Sequence, residues 1–205
     1  MPFDSYQNIG TVLTEFQITA TEDNFIRETE IAIADYFRAD LEFSLRELVV
    51  DNSEAAICEN IIYPILKEIY KSYKEDFVLW SHQLLSYNEN LLGIPDYILA
   101  KRNTLGKFVF DKPYLVAVEA KKDNFTGGWG QCLAEMVAMQ KINQEPERTI
   151  FGIVSNGKYW EFGQLRQDFF TKNITIYTVA QLTSLFAAIN YLFAQCKLER
   201  NRAEA

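Results

Sequence analysis

The sequence predicts an α/β domain in which helices flank a mixed β-sheet. Segments with a helical spacing of apolar residues alternate with short runs rich in β-branched and aromatic residues. The predicted order is helix, three strands, helix, two strands, helix, which is typical of a mixed sheet between helices. The chain has 205 residues, of which 48% are hydrophobic and 14% aromatic. This is enough to fill one core, so we expect a single domain over residues 1–205.

Four segments place apolar residues on one helical face and are predicted to be helices. They are residues 21–38, 52–73, 131–142 and 178–197. Ser53 is a good N-terminal cap for the second helix, and Pro64 should kink or interrupt it, because proline lacks a backbone N–H. The first and last helices are expected to be additions that pack on the core or form a homodimer interface.

Five segments have the composition and alternation of strands. They are residues 77–87, 94–102, 114–121, 149–154 and 158–165. Residues 103–112 should form a polar connection, and the glycine-rich residues 126–130 a turn. Ser155-Asn156-Gly157 has the chemistry of a hairpin turn between the last two strands.

The charge is unevenly distributed. The net charge of −8 disfavours nucleic acid as a partner, because phosphate binding depends on Lys and Arg. Residues 1–60 contain thirteen acidic and three basic side chains, so the remainder carries +2. Residues 101–122 carry six basic and two acidic side chains. This stretch is either a small basic surface or an ordinary solvated face.

The chain lacks the marks of secretion or of a membrane protein. Its first residues have neither the basic region nor the apolar stretch of a signal peptide, and no uninterrupted apolar run is long enough to cross a bilayer. Cys58, Cys132 and Cys196 are scattered and odd in number, which indicates reduced core residues. A cytoplasmic protein without membrane contact is therefore expected.

Two predicted neighbouring strands contain acids in apolar surroundings. Side chains alternate across a strand, so Glu119 and Lys121 share one face of residues 114–121. Asp96 lies within the apolar run of the preceding strand, where an unpaired charge would be costly. If the two carboxylates approach within about 4 Å, they repel each other by about 4 kcal/mol, and a divalent cation reverses that repulsion. Carboxylate oxygens favour Mg²⁺, or Mn²⁺ as its substitute.

The pattern Ile94-Pro95-Asp96 followed by Val118-Glu119-Ala120-Lys121 resembles the PD-(D/E)XK, or restriction endonuclease-like, nuclease superfamily. Residues 53–66 are similar to the first core helix of the nuclease domain at the N-terminus of type I restriction motor subunits. Residues 151–162 are similar to the hairpin that closes those domains. The resemblance covers residues 53–165 and implies a restriction endonuclease-like core with extra N- and C-terminal helices.

The resemblance also implies roles for individual residues. Asp96, Glu119, Glu54 and the carbonyl of Ala120 would hold Mg²⁺, with Glu54 acting directly or through water. Lys121 would orient the attacking water and stabilise negative charge, and Gln131 would hydrogen-bond that water or the lysine. The implied activity is Mg²⁺-dependent hydrolysis of DNA phosphodiester bonds by an endonuclease. Glu135 is a departure, because some relatives have tyrosine at that position.

Several residues and the function itself have a second interpretation. Glu59 is the alternative to Glu54, but it lies off the Glu54 face of the helix. His82 is interpreted as a structural residue rather than a catalytic one, since one histidine cannot build a histidine-based metal site. Trp129 and Trp160 could stack on bases, although packing is favoured. The alternative function is a catalytically inactive module with the nuclease fold that binds nucleic acid or a protein.

Overall fold

The computed structural model describes residues 3–203 and shows a large mixed sheet between two layers of helices. The helices are α1 (Ile9–Phe16), α2 (Asp35–Glu47), α3 (Glu54–Ile57), α4 (Tyr63–Tyr70), α5 (Phe125–Asn143) and α6 (Leu182–Ala203). The strands are β1 (Thr19–Asp23), β2 (Phe77–Ser81), β3 (Leu85–Ser86), β4 (Leu92–Gly93), β5 (Tyr97–Lys101), β6 (Tyr114–Ala120), β7 (Ile150–Ser155), β8 (Tyr159–Arg166), β9 (Phe169–Asn173) and β10 (Tyr177–Thr178).

Eight strands form the main sheet, in the order β1-β9-β8-β7-β6-β5-β2, with β10 paired to β8. Strands β6 and β7 are parallel, as are β1 and β9, and the remaining pairs are antiparallel. The predicted mixed sheet is therefore confirmed. Every residue of β6 is buried, as expected for a central strand covered on both faces.

Alternation along β6 divides the interior into two cores. Val116 and Val118 pack with α2, α3, α4 and α6 on one face of the sheet. Ala117 packs with α1 and α5 on the other face. The three cysteines are buried and unpaired, as predicted. Trp129 and Trp160 are also buried, so packing is confirmed as their role.

The predicted helix over residues 52–73 is present, with an irregularity beside its proline. Ser53 caps the helix by accepting a hydrogen bond from the Ala56 N–H at 3.1 Å. Residues Cys58–Ile62, between α3 and α4, form a π-helical turn, in which the Tyr63 N–H donates to the Cys58 carbonyl. Pro64 follows and supplies no N–H, so the wider turn accommodates its ring without ending the helix.

The predicted helix over residues 21–38 is wrong. Residues Thr19–Asp23 form β1, which pairs in parallel with β9. Residues 24–34 are irregular, and α2 begins only at Asp35. The apolar residues that suggested a helical stripe, such as Phe25 and Ile26, pack on the core from extended chain. Pairing with a strand about 150 positions away overrides the local pattern.

The predicted glycine-rich turn at residues 126–130 is also wrong, because α5 begins at Phe125. Asn124 caps the helix by accepting a hydrogen bond from the Gly127 N–H at 2.9 Å. A Cβ atom on Gly130 would lie 2.3 Å from the Tyr6 carbonyl oxygen. The absence of a side chain therefore permits close packing rather than a turn.

Other differences concern the extent of elements. The strands predicted at residues 77–87 and 94–102 are shortened to β2 and β5, and the short pair β3 and β4 lies between them. Helix α1 and strands β9 and β10 had no prediction. The hairpin of β7 and β8 is confirmed, with Gly157 at a φ of 79° in its turn.

One helical stretch, Val179–Glu199, is long and apolar enough to cross a membrane by length and composition alone, although polar residues interrupt its apolar run. Half of its most apolar window is buried inside the domain. Leu185, Ile189 and Leu192 belong to the core that covers β6. Packing on the sheet thus accounts for the apolar character of α6. Its predicted polar end, residues 199–205, lies partly outside the described residues.

Candidate active site

Asp96 and Glu119 lie at the same end of two central strands. Because β5 and β6 are antiparallel, the start of β5 meets the end of β6, and Tyr97 pairs with Val118. Asp96 directly precedes Tyr97, and its Oδ2 accepts a hydrogen bond from the Ala120 N–H at 2.7 Å. The two acids therefore lie at the same end of neighbouring strands, Asp96 just before β5 and Glu119 near the end of β6.

Lys121 forms an ion pair with Glu119. Its Nζ lies 2.6 Å from Glu119 Oε1, and the glutamate side chain is only 3% exposed. Helix α5 crosses above the pair, and a Cβ atom on Gly128 would lie 2.8 Å from Lys121 Cγ. The glycine thus gives the lysine stem room beneath the helix.

Glu54 approaches from the opposite layer of helices. It is the first residue of α3, and its Oε2 lies 4.0 Å from Lys121 Nζ. Its Oε1 accepts a hydrogen bond from the Lys122 N–H at 3.2 Å. Glu59 is exposed. The geometry places Glu54, and not Glu59, beside the other predicted residues.

Gln131 lines a cleft of about 290 Å³ together with Glu54 and Lys121. The amide residue is 9% exposed and lies one turn beyond Gly128 in α5. Tyr6 and neighbouring N-terminal residues complete the cleft, which the sequence did not predict. Three of the five predicted catalytic residues, Glu54, Lys121 and Gln131, therefore line the cleft. Asp96 and Glu119 lie at the same end of β5 and β6 but do not line it.

His82 lies beside Asp96, where sequence reasoning had given it only a structural role. Its Nε2 is 3.4 Å from Asp96 Oδ1, and its Nδ1 is 2.8 Å from Ser81 Oγ. The backbone has a left-handed φ of 51°, which is uncommon for a residue with a side chain. Ser81 pairs with Tyr97, so the strand register itself would have placed His82 opposite Asp96.

Glu135 is a second residue that sequence reasoning missed as part of this site. It lies in α5 and has no exposed surface, and the charge of Glu119 contributes to raising its pKa. It follows Gln131 by four residues, and such residues share a helix face. This four-residue spacing from Gln131 is the signal that the sequence offers for Glu135.

The pKa values of the carboxyl groups of Asp96, Glu119 and Glu135 are all raised. Burial, and then the charge of Asp96, raises the pKa of Glu119 to about 8. Burial and then the charge of Glu119 raise the pKa of Glu135 well above its ordinary value. Burial also raises the pKa of Asp96, although the Ala120 N–H opposes this. Burial alone would lower the pKa of Lys121, but the attraction of Glu119 outweighs it and raises that pKa.

The donor atoms suit a hard divalent cation, although they are not assembled around a single point. Within residues 3–203, no three His, Cys, Asp or Glu side chains form a ready-made ligand group. Asp96 is directed to a backbone N–H and Glu119 to Lys121. Glu119 Oε2 is nevertheless buried without a donor from the described residues. A site of carboxylate oxygens with one such unsatisfied atom is chemically suited to Mg²⁺.

The basic stretch over residues 101–122 is divided by the fold. Lys101 lies at the other end of β5 from Asp96, where its N–H donates to the Pro113 carbonyl. Lys121 and Lys122 alone belong to the site end of the hairpin. The six basic residues therefore do not form one surface around the carboxylates.

Neither models of known protein families nor curated protein sequences match this chain.

Proposed function

We propose that the chain is a Mg²⁺-dependent nuclease that hydrolyses DNA phosphodiester bonds at the ends of β5 and β6, on a restriction endonuclease-like core. The observation that carries the proposal is the convergence of Asp96, Glu119 and Lys121 at adjacent strand ends. A buried acid and a half-buried acid beside one lysine would be a costly structural arrangement without a charged ligand. These three residues belong to the Pro95-Asp96 and Glu119-Ala120-Lys121 motifs of the sequence.

The proposed metal ligands are the carboxylates of Asp96, Glu119 and Glu54 and the carbonyl of Ala120. A bound Mg²⁺, or Mn²⁺ in its place, would supply Lewis acidity and lower the pKa of a ligated water. Asp96 would keep its orientation through the Ala120 N–H, which fixes one of its oxygens. Mobile surface carboxylates would lack that preorganisation.

Lys121 and Gln131 would act on water and substrate. The lysine is 19% exposed, so its ammonium can meet solvent while its stem is packed under α5. It would orient the attacking water and offset the charge that develops on the phosphate. Gln131, in the same cleft, would hydrogen-bond that water or the lysine.

A cleavage assay tests the activity. Single-stranded, double-stranded and branched DNA are incubated with the protein and Mg²⁺ or Mn²⁺. We expect cleavage of at least one substrate, abolished by chelation and by Asp96→Ala. Glu59→Ala is a matched control, because Glu59 is exposed and outside the cleft. Cleavage that persists in purified Asp96→Ala would exclude this site.

A catalytically inactive module of the same fold is the second candidate. It is favoured by the acidic composition and by the absence of an assembled three-ligand group among the described residues. Such a module would bind nucleic acid or a protein without metal. It predicts no cleavage with either cation and no stabilisation of the protein by them.

A further inference from the structure

We infer that the preferred substrate is single-stranded DNA, and that a second cleft beside the catalytic one holds the nucleotide next to the scissile phosphate. The inference rests on the proposed function and names the substrate class of that site. The second cleft has a volume of about 430 Å³, which is in the range of sites for ligands of nucleotide size. Its lining includes Phe125, Trp129, Glu161 and Lys172.

The two clefts lie side by side between the same two walls. The first turn of α5 contributes Gly127 to the catalytic cleft and Phe125 to the second cleft. The N-terminal segment contributes Gln7 to the catalytic cleft and the next residue, Asn8, to the second cleft. Consecutive nucleotides of one strand would therefore occupy neighbouring clefts.

The N-terminal wall of both clefts is packed against the domain. Phe3 is buried and packs on Gly93, where a Cβ atom would overlap its ring. The Tyr6 hydroxyl donates to Glu15 Oε1 at 3.0 Å, and the Tyr6 carbonyl lies against Gly130. The clefts are therefore bounded on this side by fixed chain.

The charge of the two clefts does not favour a double helix. Affinity for duplex DNA depends on Lys and Arg contacts with many phosphates. In the catalytic cleft, Glu54 Oε2 lies 4.0 Å from Lys121 Nζ, and in the second cleft Glu161 Oε2 lies 2.7 Å from Lys172 Nζ. Neither cleft carries a net positive charge among its described lining residues.

An aromatic ring offers affinity that does not depend on net charge. Bases stack on aromatic side chains whatever their sequence. Trp129 is buried and donates to Glu161 at 2.6 Å, whereas Phe125 is only partly buried in the second cleft. A base that stacks on Phe125 must be unpaired, and taking a base out of a duplex costs free energy. A single strand presents the base without that cost.

Fluorescence anisotropy with a short labelled DNA strand and with the duplex of the same sequence tests the inference. The measurements are made in Ca²⁺, a hard cation that also binds carboxylate oxygens. We expect the wild type to bind the single strand about tenfold or more tightly than the duplex. Phe125→Leu should weaken binding of the single strand about fivefold or more, because the stacking ring is lost. Lys172→Gln should weaken it and make it less sensitive to salt.

Two matched controls separate these effects from packing and from charge in general. Phe16→Leu replaces another partly buried ring of the same core, outside both clefts. Lys158→Gln removes a lysine that pairs with Asp51, also outside both clefts. Neither control should change binding of the single strand.

Equal or tighter binding of the duplex would overturn the inference, as would a loss in Phe125→Leu no greater than that in Phe16→Leu. Cleavage assays distinguish its failure from that of the proposed function. A wild type that cleaves the duplex and not the single strand would keep the nuclease and exclude the inference. If no DNA is cleaved with Mg²⁺ or Mn²⁺, the nuclease proposal fails, while the anisotropy of the wild type and Phe125→Leu still decides whether the second cleft binds an unpaired base.

Discussion

At the scale of single residues, Glu119 is the point at which the charged groups of the site meet. Lys121 donates to one of its oxygens, the other is buried without a donor from the described residues, and the charge of Asp96 raises its pKa. Its side chain is 3% exposed, so water offers little compensation. The protonation of Glu119 should therefore affect both stability and metal binding.

The pKa of Glu119 predicts the pH dependence of stability without metal. Burial and the charge of Asp96 raise that pKa from 4.5 to about 8. Between these values the folded state binds more protons than the unfolded state, so the free energy of unfolding falls as pH rises. Melting of the metal-free protein should show this decline from about pH 5 to about pH 8. Glu119→Gln should flatten it, and an equally steep decline in that variant would contradict the assignment.

Lys121→Met separates catalysis from metal binding. The substitution removes the cation that partly neutralises Glu119 and Glu54, so Mn²⁺ affinity should persist or increase. Cleavage should be lost, because no ammonium remains to orient water and offset charge. Titration with Mn²⁺ and the cleavage assay measure the two effects. Loss of metal binding in a folded Lys121→Met protein would argue against these roles.

At the scale of elements, the site strands were easier to predict than their surroundings. β6 and β7 are nearly continuous apolar runs, and Ser155-Asn156-Gly157 gives a clear hairpin signal between β7 and β8. Both signals are properties of neighbouring residues. The residue pattern also identified Asp96, Glu119 and Lys121, which the fold brings to one end of the sheet. Asp96, Glu119 and Lys121 come together because β5 and β6 follow one another along the chain and pair with each other. Consecutive strands can be recognised from the sequence around them.

Elements that depend on distant partners were missed. β1 is a strand only because β9 pairs with it, and no local pattern contains that pairing. The glycines at the start of α5 are typical of a turn in sequence. In the structure they instead permit close packing against Tyr6 and Lys121, which the local sequence does not reveal. The places of His82 and Glu135 in the site were missed for the same reason, because they depend on residues distant in sequence. His82 lies beside Asp96, and the charge of Glu119 acts on Glu135.

The docking of the N-terminal segment on α5 can be tested at Gly130. A Cβ atom there would lie 2.3 Å from the Tyr6 carbonyl oxygen and 2.6 Å from the Asn8 nitrogen. Gly130→Ala should lower the free energy of unfolding by about 1–3 kcal/mol, because rigid backbone must move. Thr126→Ala, an exposed position in the same helix, is the control and should change it by less than about 0.5 kcal/mol. Urea denaturation of both variants checks this, and equal stability would contradict the packing.

At the scale of the whole molecule, the additions to the predicted core are structural parts of the domain. α6 packs over the face of β6 opposite α5, and β1 extends the sheet at the edge remote from β5. Their packing on the core is therefore confirmed. A homodimer stays a prediction. Light scattering over a range of concentrations tests it, and a monomer throughout would exclude it.

The melting temperature with and without Mn²⁺, in the wild type and in Asp96→Asn, tests the metal site most directly. A ligand at a hundredfold excess over its Kd adds about 2.7 kcal/mol to the stability of the folded state. The variant removes one repelling charge and can still accept from the Ala120 N–H. We predict that metal-free Asp96→Asn melts at or above the wild-type temperature and loses most of the Mn²⁺-induced increase. A wild type indifferent to millimolar Mg²⁺ and Mn²⁺, with a destabilised Asp96→Asn, would contradict the metal site and favour the inactive module.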